Sequence, residues 1–229
     1  MVVHYKNLII IGTSHIAKQS VNEINSIFSE INPDIVCVEL DHKRLHALLT
    51  DAKPDYSLAG ITRYGLQGYL FAVIAGLLQK KLGNIVGIKP GSDMLAAVNL
   101  SREHNKQLIL IDQDIEITLK KFSKQFTFKE KMRILWDVIR SPFAPKLKIN
   151  LNHVPKEELI IKMISELKSR YPSLYNVLIH ERNIVMTKAL VKIIENDPEK
   201  KILAVIGAGH EKEMIELIKK EENKRDKIY

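Results

Sequence analysis

The sequence predicts an α/β fold: a mostly parallel central sheet flanked by helices, with a helical insertion before the last strand–helix unit. Three observations carry this prediction. Five short β-branched runs, at 8–11, 35–40, 84–88, 107–111 and 202–206, are mostly continuously apolar. Strands covered on both faces read this way, whereas half-exposed strands alternate. Helical stretches lie between the runs, and strand–helix alternation favours right-handed crossovers. The chain also has the means to bury a core, with 229 residues, 45% of them apolar and 27% charged. That composition excludes a disordered or fibrous chain.

The elements follow in order. After the first run, Ile16, Val21, Ile24, Ile27, Phe28 and Ile31 recur at helical spacing until Asn32-Pro33 stops the helix. The second run closes on Glu39, and a long connection, 56–81, follows it. Its most hydrophobic window, 66–78, falls short of the roughly 18–20 residues that cross a bilayer, and predicts a buried or interfacial helix. The exposed face of that helix offers a homodimer contact, although the core is the more economical place for it. The third run enters a helix over 94–104 through Pro90-Gly91-Ser92, and the fourth ends at Asp112 and Asp114. Residues 119–196 are almost wholly helical by pattern, carry Trp136, and are cut by Pro142, Pro145, Pro155 and Pro172. No Gly/Ser-rich linker sets this insertion apart, so 1–229 reads as a single domain. The fifth run opens a last helix through Met214, Ile215, Leu217 and Ile218, and a charged, frayed tail ends the chain.

Charge and cysteine content narrow the classes. With 35 Lys+Arg against 27 Asp+Glu the net charge is +8, which favours acidic partners or anionic surfaces without choosing among them. Aromatic residues are 6% and the basic residues are scattered, so no nucleic-acid stacking platform is expected. The single cysteine, Cys37, excludes a disulfide scaffold and multi-cysteine zinc or iron–sulfur sites. Its neighbours Ile35, Val36 and Val38 predict a buried, inert thiol. The apolar run near the N-terminus is too short for a signal peptide, and a cytoplasmic location is the expectation. Ile184 breaks the H-E-x-x-H pattern that starts at His180-Glu181, and there is no P-loop, G-x-G-x-x-G or G-x-S-x-G motif.

The chemistry is concentrated at predicted strand ends. Gly12-Thr13-Ser14-His15 and Gly207-Ala208-Gly209-His210 each lead from strand to helix, with a histidine three residues after a glycine. A helix entrance supplies free N–H groups and the positive end of a dipole. Glu39 closes the second strand, Asp93 follows the third, and Asp112 and Asp114 follow the fourth. In an open parallel sheet the ligand crevice lies outside the carboxyl ends of the strands. His15, Glu39, Asp93, Asp112, Asp114 and His210 would therefore share one rim, although any one alone is more simply a helix cap or surface carboxylate. Arg182 falls inside an apolar helical stripe with Glu181 at its edge. Such charges need pairing or a function; an ion pair to the sheet and a binding role weigh about equally. Arg44, five residues past Glu39, is a candidate partner for either carboxylate.

These motifs resemble the TraB/PrgY family. Gly12-Thr13-Ser14-His15-Ile16 and Pro33 to Asp41 with Arg44 are similar to its opening, and Gly87 to Met94 and Ile111 to Ile115 to its middle. Glu181-Arg182-Asn183 and Val205 to His210 are similar to its close. The resemblance places the chain with the TIKI/GumN group, whose fold is related to the erythromycin-esterase and ChaN type. Departures fall at Asp93, where glutamate is expected, at Gln113, where arginine is expected, and at Glu211-Lys212-Glu213, where small and apolar residues are expected.

The resemblance implies a metal-dependent hydrolase, most readily a peptidase acting on a peptide or protein substrate. A divalent metal, Zn²⁺, Mn²⁺ or Co²⁺, would be held by His15, His210 and Glu39, with Glu39 alternatively the general base. Arg182 with Arg44 would hold a substrate carboxylate or the oxyanion, and Glu181 joins the candidate catalytic set. Two other readings stay open: a regulator that sequesters peptides without turnover, as in control of a peptide pheromone, and a haem- or metal-binding protein of ChaN type. Many relatives continue into C-terminal membrane helices, so the chain is either cytoplasmic or the soluble part of a membrane-anchored protein.

Overall fold

The computed structural model describes residues 2–13, 18–50, 59–86, 91–140 and 157–225. Five strands form one sheet in the order β1-β2-β5-β3-β4. Strands β2 (Leu8–Thr13), β3 (Ile35–Val38), β4 (Gln107–Leu110) and β5 (Ile202–Gly207) run parallel, and β1 (Val2–Tyr5) adds to β2 antiparallel. Successive side chains on a strand face opposite ways. On one face Leu8, Ile10, Ile35, Cys37, Ile202 and Ala204 pack beneath Met186 and Leu190 of helix Glu181–Asn196 and Met214 and Ile218 of helix Ala208–Arg225. On the other face Ile11, Val36, Val38, Leu203 and Val205 pack beneath Ile24, Phe28, Met94, Ala97 and Val98. Both faces are covered, which is why the strand runs are apolar without alternation. Each fully buried aliphatic side chain contributes roughly 1.5–3 kcal/mol of transfer free energy.

Ten α-helices are described: α1 (Lys18–Ile31), α2 (His42–Thr50), α3 (Ala59–Val86), α4 (Ser92–Glu103), α5 (Ile115–Gln125), α6 (Phe128–Arg140), α7 (Glu157–Arg170), α8 (Pro172–Tyr175), α9 (Glu181–Asn196) and α10 (Ala208–Arg225). A π-helical turn, Asn176–His180, joins α8 to α9. The described residues within 119–196 are helical as expected, with 141–156 outside the described residues, but α9 is itself a layer of the sandwich and covers the sheet. Asp114 starts α5 by accepting a hydrogen bond from the Glu116 backbone N–H at 2.7 Å.

Four of the five predicted strand runs are strands, and the run at 84–88 is a correction. Residues 84–86 form the end of α3, and 87–88 lie outside the described residues. A short apolar run has no period of its own, and no proline separates this one from the helix before it. The edge strand β1 was not predicted. It has four residues and alternates exposed with half-exposed positions, as an edge strand does. The apolar window 66–78 lies within α3, where Leu66 is 57% and Leu70 48% exposed. The opposite side packs on α5: a Cβ at Gly68 would sit 2.5 Å from the Leu119 carbonyl oxygen. Among the described residues no helix is long and apolar enough to cross a membrane.

Candidate functional site at the carboxyl rim of the sheet

β5 lies between β2 and β3, so its carboxyl end is the centre of the rim. Glu39 leaves β3 one residue past its last ladder position, with its backbone N–H still donating to the Val205 carbonyl at 3.1 Å. Its carboxylate Oε2 accepts the Gly207 backbone N–H at 2.6 Å, and Oε1 meets Arg182 Nη2. Asp112 follows β4 and takes the other side of the same guanidinium, with Arg182 Nε–Oδ1 at 3.0 Å and Nη2–Oδ2 at 2.5 Å. Arg44 Nη2 reaches Asp112 Oδ2 at 2.5 Å, and its Nε reaches Asp41 Oδ2 at 2.7 Å. Asp41 in turn accepts the Lys43 and Arg44 backbone N–H groups and, at 3.1 Å, that of Ile115. The loops after β3 and β4 are thereby fastened to each other and to α9.

The cluster sets three carboxylates, Glu39, Asp41 and Asp112, against two guanidinium groups, Arg44 and Arg182. The Asp112 side chain is fully buried and that of Glu39 is 4% exposed. Burial pushes the Asp112 carboxyl up, but Arg182 and then Arg44 outweigh it and hold the carboxyl below its ordinary range. Burial likewise opposes the charge on Arg182, and the Glu39 and Asp112 carboxylates overcome it and raise the guanidinium's pKa. The remaining Arg182 donor, Nη1, reaches the Leu178 carbonyl at 3.0 Å and His210 Nε2 at 3.3 Å. All five N–H groups of Arg182 are thus engaged. Arg44 differs: its side chain is 29% exposed and Nη1 makes no hydrogen bond among the described residues.

His210 is buried in the first turn of α10. Its Nδ1 lies 2.6 Å from Asn183 Oδ1, and Asn183 Nδ2 donates to Glu213 Oε2 at 2.6 Å. Glu213 Oε1 lies 2.6 Å from His180 Nδ1. Because Glu213 takes the amide N–H of Asn183, the amide oxygen must face His210, so His210 Nδ1 is assigned as the donor. In the neutral ring Nε2 then carries the lone pair, and it points into the cluster 3.3 Å from Glu39 Oε1. Asn183 and Glu213 were given no role by the sequence reading. The available signals are a polar residue inside the buried stripe of α9 and a carboxylate three residues past His210.

Of the residues expected at the rim, Glu39, Asp112, His210, Arg182 and Arg44 are brought together. Asp93 sits beside them at the end of β2, accepting from Thr13 Oγ1 at 2.5 Å. Asp114 caps α5 and pairs with Lys43 at 2.8 Å, which is the plain capping role. Glu181 faces away from the cluster and ties α9 to α5 through Lys121 at 2.7 Å and Gln125 at 3.0 Å. His15 lies outside the described residues. Glu211 covers Gly12, whose added Cβ would collide with the Glu211 carboxylate.

This arrangement also bears on the expected metal. Among the described residues no group of three or more His, Cys, Asp or Glu side chains is arranged to hold one. The two expected donors that are described, Glu39 Oε1 and His210 Nε2, both face the Arg182 guanidinium. A cation placed between those donors would meet a buried positive charge. As they stand, these donors do not fit a metal ion.

The chain is similar to known proteins over most of its length. An uncharacterized protein of Methanocaldococcus jannaschii is 35% identical over 226 residues, 96% of this chain and 55% of that protein. A TraB domain-containing protein of Homo sapiens is 22% identical over 227 residues, 88% of this chain and 60% of its own length. The bovine TraB domain-containing protein is 23% identical over 231 residues, with 88% and 59% covered. The chain thus spans 55–60% of the length of these relatives. The family model described as TraB/PrgY/gumN matches residues 3–224, and the chain belongs to that family.

Proposed function

We propose that the rim cluster is a hydrolytic site acting on peptide bonds. The observation that carries the proposal is the orientation of His210. Asn183 holds its Nδ1, so Nε2 presents a lone pair beside Glu39 Oε1, 3.3 Å away, at the carboxyl end of a parallel sheet. A base so placed can take a proton from an attacking water that displaces Arg182 Nη1, 3.3 Å away, from the same lone pair. Arg182 has no free N–H to offer and serves to fix the two carboxylates. Among the described residues Arg44 Nη1 is the donor left for a substrate carbonyl or carboxylate, which divides the two arginines that the sequence grouped together. Because the described donors do not fit a metal, no step is routed through one.

The test is cleavage of a diverse fluorogenic peptide library by the full chain, with elemental analysis of the same preparation. Cleavage is expected to survive chelator and to fall roughly 10²–10⁴-fold in His210→Ala, as for loss of a general base. Cleavage that requires Zn²⁺, Mn²⁺ or Co²⁺, with metal content lost in His15→Ala and His210→Ala, would replace this mechanism by the metal-dependent one. A second reading, capture of peptides without turnover, draws on the closed hydrogen-bonding of Arg182. It is supported by saturable peptide binding with no product under any metal condition.

A further inference from the structure

We propose that the outward face of α6 is a docking surface for an anionic lipid membrane, on which the helix lies without crossing it. Phe128, Met132 and Trp136 are spaced four residues apart and share one stripe of the helix. All three are exposed, Phe128 by 75% and Trp136 by 56%. Apolar side chains exposed singly are ordinary, but a row of large ones marks a surface that meets a partner. With 13 residues α6 is too short to span a bilayer, so a membrane would meet it along its length. This surface is independent of the chemistry of the rim.

Charge selects the partner. The two acids of α6 face the body of the protein and are engaged there. Glu130 accepts the Ser173 backbone N–H at 2.7 Å and the Thr127 hydroxyl at 2.6 Å. Asp137 pairs with Arg170 at 2.6 Å and accepts the Tyr171 hydroxyl. Lys129 and Arg140 are exposed and, at about 100° per residue, fall along one border of the stripe. Among the described residues neither meets a carboxylate, and the Arg140 guanidinium lies over the Trp136 ring at 5.5 Å. The outward face therefore combines aromatic rings with uncompensated positive charge. Two copies of it brought together would oppose like charges, which counts against a homodimer through this face. A ring as open as Phe128 stands proud of its neighbours and lines no groove, which suits a surface that deforms around it better than a folded partner. Aromatic and apolar side chains bordered by cations on one helix face are what the headgroup layer of an anionic membrane accepts.

The experiment is titration of the full chain, at low salt, with vesicles of phosphatidylcholine alone and of phosphatidylserine and phosphatidylcholine in equal parts. Binding is read by sedimentation and by tryptophan emission. Trp136 is the one tryptophan of the chain, so its emission reports on the stripe itself. The phosphatidylserine vesicles are expected to carry the protein down and to shift the emission to the blue, and phosphatidylcholine alone to do neither. Lys129→Gln together with Arg140→Gln is expected to weaken partition about thirtyfold, a factor of about five for each cation. Phe128→Ser is expected to weaken it about tenfold through lost apolar burial. These changes fall on exposed side chains and should leave the urea midpoint at the parent value. Equal partition into the two vesicles, partition into neither, sedimentation without a blue shift, or a double variant that partitions like the parent overturns the membrane assignment. So does an equal blue shift with polyglutamate or a single-stranded oligonucleotide, which gives the face to a protein or a nucleic acid. A blue shift that grows with protein concentration in the absence of vesicles also overturns it, and gives the face to a second copy.

Discussion

A guanidinium with every N–H engaged between two buried carboxylates is poor material for catalysis and strong material for stability. Replacing Arg182 with methionine leaves Glu39 buried without its counter-charge and Asp112 with Arg44 alone. Breaking a buried pair in this way costs about 3–5 kcal/mol, so Arg182→Met should lower the urea midpoint sharply at neutral pH. The acid limb has a definite sign. Asp112 titrates below its ordinary value in the folded chain and near about 3.9 when unfolded. Its contribution is therefore present above pH of about 4 and lost as pH falls through the folded value. Asp112→Asn should be less stable than the parent at pH 7, and the gap in urea midpoint should close as pH drops towards 3; a gap that stays constant contradicts this. The sequence made Arg182 legible because a charge inside an apolar stripe asks for a partner, Glu39 and His210 because they stand at strand ends, and Arg44 because it lies five residues past Glu39. It left Asn183 and Glu213 unread because what they do depends on α9 meeting α10, and no local pattern encodes that meeting. Asn183→Ala should release the His210 ring: about a tenfold loss of any turnover, with imidazole ¹⁵N shifts no longer showing one dominant tautomer. Unchanged shifts would remove Asn183 from its positioning role.

At the scale of elements, legibility followed periodicity. The continuously apolar strands were read because both faces are buried, α1 because its stripe repeats at helical spacing, and α4 because Pro90-Gly91-Ser92 opens it. The run at 84–88 was misread because its first three residues belong to the end of α3, and a few apolar residues suit helix and strand alike. The edge strand β1 was missed because it is held by pairing with β2, from Val2 with Ile11 to Tyr5 with Leu8, more than by its own pattern. The contact between α3 and α5 yields a prediction. A Cβ at Gly68 would sit 2.5 Å from backbone oxygen, which cannot turn aside as a flexible side chain can. Gly68→Val should destabilise by about 1–3 kcal/mol as overpacking does. Leu66→Ala, at an exposed position of the same helix, should stay within about 0.5 kcal/mol. Equal effects in thermal melts would mean that α3 does not seat on α5 through Gly68.

For the whole molecule the question is whether the helical stretch and the sheet form one cooperative unit. The sandwich argues that they do, since α9 supplies Met186, Leu190 and Val191 to the core while Arg182, at its start, clamps the loops after β3 and β4. The helices therefore cannot leave without uncovering the sheet and stranding buried carboxylates. Cys37 makes this measurable. It is the one cysteine of the chain, lies fully buried in β3, and burial pushes its thiol up to about 12. It is inert in the folded state on two counts, access and protonation. A disulfide reagent at pH 8 should modify it only in molecules whose sheet has opened. In urea, the midpoint for thiol modification, read by pulse labelling, should coincide with the midpoint for loss of helical circular dichroism. Helicity falling first, with Cys37 still protected, would mean that the helical layer melts from an intact sheet and that the chain is two units.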